Sequence, residues 1–200
     1  MIDAPIWNIG DKWTYKSTTG VIWTNEVVEV KEDSYVLKMR RSKNLYGFDK
    51  RTMNVKYIIK EGSKGTENIW GASGRFLDFP VVVGREWCPE LEFKRFLENR
   101  LHIIGEPIYL SRFKIEDVEE VTVPAGTLKS YATLFRRMRT RNEALRGSIR
   151  LWYSPEVKTW IKIVIENGSF WIDSARRTKD VFLATILAFG SAELISYESK

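Results

Sequence analysis

Cysteine and histidine are almost missing from this chain: Cys88 and His102 are each the only residue of their type. One cysteine excludes an internal disulfide and any cysteine-rich metal site, and one histidine excludes a histidine-built metal centre. A Ser-His-Asp triad would hang on His102 alone, and its neighbours Leu101, Ile103 and Ile104 are apolar, as around a structural histidine. Cys88 lies between Trp87 and Pro89 with no sign of an activated thiolate. No glycine-rich phosphate loop opens a helix after a strand. The adjacent carboxylates Glu116-Asp117 and Glu119-Glu120 read as a solvated acidic edge, because acid–base catalysis needs carboxyls in unlike environments. The chain is therefore expected to be non-enzymatic, with no catalytic residue, no metal and no cofactor.

Long apolar runs are missing too. The best, from Val181 to Phe189, falls short of the ~18 residues that span a bilayer. The opening Met1-Ile2-Asp3-Ala4-Pro5 has neither the basic nor the apolar region of a secretory leader, which taken alone reads as cytoplasmic.

What is abundant is aromatic. Eight tryptophans and eight tyrosines accompany a 44% hydrophobic and 29% charged composition in 200 residues. That length suits a single domain, residues 1–200, and no linker or low-complexity stretch divides it. Flat amphipathic rings favour pleated surfaces, where they either fill a β core or line a ligand groove. Strand patterning supports the first step of that reading. Trp13, Tyr15 and Ser17 alternate with Thr14, Lys16 and Thr18, and Thr19-Gly20 turns the chain. A segment from Val21 to Glu32 follows, with a local break at Glu26-Val27-Val28. Tyr35, Leu37 and Met39 then face away from Val36, Lys38 and Arg40, and further strands are expected in 54–60 and 65–79. Period-2 segments cut by Gly, Pro, Asn and Asp predict an antiparallel sheet, and no βαβ alternation argues for a parallel one. Residues 90–102 mix the two periods. Residues 180–189 fit a short helix ending at Gly190 or a buried strand, and periodicity does not separate these.

Basic residues cluster. Between Tyr35 and Lys60 eight Lys and Arg residues stand against one acid, Asp49. A second cluster holds Arg136, Arg137, Arg139, Arg141, Arg146 and Arg150, with Glu143 its only acid. If Tyr131 to Arg141 is a strand, Arg137, Arg139 and Arg141 share a face, and a hairpin through 142–147 would add Arg146 and Arg150 to the same basic surface. Like charges on a sheet repel, so the surface is either well solvated or answers an anionic partner. Net charge is only +6 and no nucleic-acid motif appears, so nucleic acid fits poorly as that partner.

Four punctuating motifs run along the chain in order: Gly10-Asp11-Lys12-Trp13-Thr14-Tyr15, the segment from Phe79-Pro80 through Gly84 to Trp87, Val123-Pro124-Ala125-Gly126-Thr127, and Trp152-Tyr153-Ser154-Pro155-Glu156-Val157. In the third, proline presets the first central turn position and Gly126 can take positive φ. Together they resemble a group of bacterial extracytoplasmic domains of unassigned function, similar in turn to the LolA/LppX-like lipoprotein-carrier half-barrel. The resemblance implies a curved antiparallel sheet with one or two short helices over its open side. It also implies export, by a leader absent from this sequence, and a lipid or other amphipathic ligand in the concave face. Trp13, Tyr15, Trp152 and Trp160 are the residues expected near such a ligand, and Arg137, Arg139, Arg141 and Arg150 near an anionic one. Two alternatives stand beside the carrier reading: a structural or protein-interaction module of the envelope, and polyanion binding by the basic face.

Overall fold

The computed structural model describes residues 1–39, 43–53, 55–60, 66–68, 77–87, 109–139, 145–166 and 190–200. Alternating polar and apolar residues fold these as twelve strands: β1 (Lys12–Ser17), β2 (Ile22–Val30), β3 (Ser34–Met39), β4 (Leu45–Asp49), β5 (Val55–Ile59), β6 (Thr66–Asn68), β7 (Glu86–Trp87), β8 (Tyr109–Val123), β9 (Gly126–Arg139), β10 (Leu145–Ser154), β11 (Thr159–Ile165) and β12 (Ala192–Glu198). All belong to one sheet in the order β6-β5-β4-β3-β2-β1-β12-β11-β10-β9-β8-β7, and every pairing is antiparallel. Among the described residues β6 and β7 end the sheet and do not pair with each other, so it is open. The mainly β, antiparallel, single-sheet expectation holds. Residues 90–102, which mix the two periods, and 180–189, which fit a short helix or a buried strand, lie outside the described residues, and so the one or two short helices do too.

Turn chemistry works where the sequence places it. Gly20 takes φ +82° after Thr19, and Gly126 takes φ +136° beyond Pro124-Ala125, a conformation a Cβ would strain. The break foreseen around Val27-Val28 is a register shift against β3, one of several β-bulges that bend the strands.

Cross-strand partners share a face, so register shows which side is buried. The row Ser17–Ala192–Ile163–Leu151–Thr133–Ile115 crosses six strands, and every member is buried. The neighbouring row on the other face, Lys16–Glu193–Lys162–Trp152–Ala132–Asp117, is mostly charged. One face is therefore inner and apolar. It carries two cores. The first gathers Trp7, Trp13, Tyr15, Trp23, Tyr35 and Phe48 with other apolar residues of β1 to β4 and β12. The second gathers Phe113, Phe135, Leu151, Tyr153 and Trp160 with apolar neighbours on β8 to β11 and with Leu77 and Val81.

Candidate functional site

The first core is sealed by its own polar groups. Trp13 is 2% exposed, and its indole Nε1 donates to the Val157 carbonyl at 2.6 Å. Trp7 Nε1 donates to the neighbouring Lys158 carbonyl at 2.9 Å. The Tyr15 hydroxyl shares a hydrogen bond with Thr159 Oγ1 at 3.0 Å, and its ring stacks on Trp23 with centroids 5.4 Å apart. Burial pushes the Tyr15 phenol well above the ordinary tyrosine range, against a smaller opposing effect of the Thr159 hydrogen bond. These bonds tie the β10–β11 turn onto β1. Lys158, in that turn, holds φ +61° and brings its ammonium 3.5 Å from buried Asp11. Asp11 also accepts the backbone N–H of Asn8 at 2.9 Å and of Lys200 at 2.8 Å. Three stretches far apart in sequence meet at one carboxylate.

The second core is built differently. Trp87, Phe113 and Phe135 form a cross-strand ladder from β7 to β9. Their rings stack at centroid distances of 5.2 Å and 4.6 Å. Tyr153 meets Phe79 and Trp160 edge-on, each at 5.9 Å. Burial also raises the Tyr153 phenol well above its ordinary range. Ile2, Phe79, Trp87, Tyr131 and Ile165 rim this core half-buried. Among the described residues the buried Thr133 hydroxyl, on the same inner face, has no hydrogen-bond partner.

The four aromatic residues expected at a ligand thus separate. Trp13 and Tyr15 belong to the first core and Trp160 to the second. Trp152 stands on the other face, half-buried, where its Nε1 donates to Glu119 Oε1 at 2.6 Å and the Lys162 ammonium lies 5.8 Å from its ring centre. Sequence reasoning missed the rim, although Phe79 and Trp87 bound one of the motifs it singled out. The missing signal was pairing: only β8 brings Trp87 beside Phe113.

The arginines separate as well. Arg141 lies outside the described residues, and so do the side chains of Arg137 and Arg139. Arg150 stands across from Leu134, while Gly147 is the partner of Arg137. The Arg150 guanidinium lies 3.4 Å from Glu116 and 3.5 Å from Glu166, so Arg150 has acidic company on the sheet. In the first basic cluster Lys56 pairs with Asp33, whose carboxyl the Lys56 hydrogen bond holds below the ordinary range. Among the described residues no group of His, Cys, Asp and Glu could hold a metal ion. No helix there is long and apolar enough to cross a membrane.

No protein-family profile and no curated protein matches the chain. Solved structures do show similarity. The hypothetical lipoprotein YmcC from Escherichia coli aligns with a TM-score of 0.43 at 7% identity, over 100% of this chain and 90% of its own. A provisionally named lipoprotein from Parabacteroides distasonis aligns with a TM-score of 0.39 at 11% identity, over 98% of this chain and 99% of its own. A provisionally named exported protein with a YmcC-like fold from Bacteroides fragilis aligns with a TM-score of 0.41 at 11% identity, over the whole of both chains.

Proposed function

We propose that this chain is a non-catalytic, extracytoplasmic binding module whose ligand is a lipid or another amphipathic molecule. The observation that carries the reading is the contrast between the two cores. The first is closed by indole and phenol hydrogen bonds, whereas the second ends in half-buried aromatic and aliphatic side chains at Phe79, Trp87, Tyr131 and Ile165. Rings of this kind, part apolar and part accessible, suit an acyl chain or a similar apolar tail. In this reading Trp87 and Tyr131 meet the ligand, Trp160 supports them from below, and Trp13 and Tyr15 hold the scaffold. The extracytoplasmic and carrier parts rest on the ordered motifs and on the half-barrel they resemble. Absence of chemistry rests on the lone His102 and Cys88 and on the lack of a paired acid and base.

The test is organic extraction of the purified protein followed by native and denaturing mass spectrometry, with a fatty-acid probe titrated against wild type and Trp87→Ala. A stoichiometric amphipathic molecule, and probe binding weakened in the variant, are expected. A protein that carries no such molecule and leaves the probe unbound overturns the reading.

A second reading, a protein-interaction module, draws on apolar side chains that face solvent. Ile6 and Ile9 are 74% and 59% exposed, and the turn after Val81 presents Val82 and Val83. Sedimentation showing a discrete dimer that Ile6→Ser and Val83→Ser dissociate would favour it.

A further inference from the structure

On the outer face of β8 and β9, register sets two arginines against each other. Arg112 stands directly across from Arg136, and both are exposed. Cross-strand partners of this kind keep their Cβ atoms about 5 Å apart, and like charges so placed repel. Among the described residues two neighbouring cations are answered. Lys114 pairs with Glu86 at 3.1 Å, and Arg150 lies between Glu116 and Glu166. The third member of the Arg112–Arg136 row, Ser148, gives its hydroxyl to Glu166 at 2.9 Å. Nearby carboxylates are thus engaged by Arg150, Lys114 and Ser148. Among the described residues neither Arg112 nor Arg136 has an ion pair or a hydrogen-bonding side-chain partner. With those carboxylates engaged elsewhere, two exposed arginines stand opposite each other at one cross-strand position.

We propose that Arg112 and Arg136 form a binding site for a phosphate-type oxyanion, offered either by an anionic phospholipid headgroup or by a soluble phosphate compound. Guanidinium groups present fixed donor forks that match tetrahedral oxyanions, and an anion between them removes their mutual repulsion. Phe113 and Phe135 point to the opposite face, into the second core, so this site does not depend on an amphipathic ligand binding there.

Two assays read the site: thermal shift with inorganic phosphate, and co-sedimentation with phosphatidylglycerol vesicles against phosphatidylcholine vesicles. Wild type is expected to respond in at least one, with apparent affinity about tenfold weaker in Arg112→Gln and in Arg136→Gln. Lys114→Gln should bind as wild type does. Arg112→Glu turns the repelling pair into an attracting one, so it should raise Tm while abolishing binding, an outcome that misfolding cannot imitate. A phosphate response without vesicle binding assigns the soluble source, and vesicle binding that needs both arginines assigns the headgroup. Failure of both assays overturns the proposal, as does equal binding by the glutamine variants. Binding of single-stranded nucleic acid alone, lost in those variants, would replace it with a nucleic-acid site.

Discussion

The indole N–H of Trp13 reaches across 144 positions of sequence to the carbonyl of Val157 at 2.6 Å. This bond pins the β10–β11 turn over the inner face of β1, beside the parallel bond from Trp7 to Lys158. It joins the first and fourth of the motifs visible in the sequence, and it makes Trp13 a structural residue.

Trp13→Phe should test that role. The ring stays apolar, but the buried Val157 carbonyl loses its donor, which costs about 1–3 kcal/mol. Trp13→Ala should cost more, about 3–5 kcal/mol, because a cavity opens as well. Urea denaturation midpoints at constant m-value would measure both.

Asp11→Ala removes both carboxylate oxygens, one of which accepts the Asn8 N–H and the other the Lys200 N–H. Loss of hydrogen bonds to a buried carboxylate at Asn8 and Lys200 should cost about 1.5–3 kcal/mol per bond at most. Hydrogen exchange should quicken at the Asn8 and Lys200 amides together. Quickening at one alone would mean that the two stretches are not held by the same carboxylate.

Gly47 lies under a tyrosine ring. A Cβ at this position would sit 2.2 Å from Cζ of Tyr57, its partner on β5, whose hydroxyl shares a 3.2 Å hydrogen bond with Ser34. Gly47→Ala should therefore destabilise by about 1–3 kcal/mol through overpacking. Added to Tyr57→Ala it should cost far less, so thermal unfolding of the double mutant should show strong non-additivity.

Stability should fall at alkaline pH. Burial raises the phenol pKa of Tyr15 and Tyr153 in the folded state, so the folded protein keeps protons that the unfolded chain releases above about pH 10. The stabilisation is whole below that pH and is lost as pH rises through the folded values. Tyr153→Phe should flatten the alkaline limb of Tm against pH, and an unchanged slope would show that Tyr153 does not contribute.

Much of the fold was legible in the residues. Alternation through Trp13, Tyr15 and Ser17 marked β1 and its buried side, and Val123-Pro124-Ala125-Gly126 marked the β8–β9 turn. These are local effects: Cβ direction alternates along a strand, and proline and glycine restrict or free φ wherever they stand. The sequence by itself also excluded an internal disulfide and a histidine-built metal centre, since one cysteine and one histidine cannot build what needs several.

Tertiary structure decided everything that depends on which strands meet. Only pairing inserts β12 between β1 and β11 and brings Trp87 beside Phe113. Only pairing sets Arg112 against Arg136 while Arg150 falls between two glutamates. A strand's own residues specify its two faces but not its neighbours, and a single bulge changes which side chains stand opposite. The aromatic residues therefore announced a buried face in the sequence, and strand order alone divided it into a sealed core and a rimmed one.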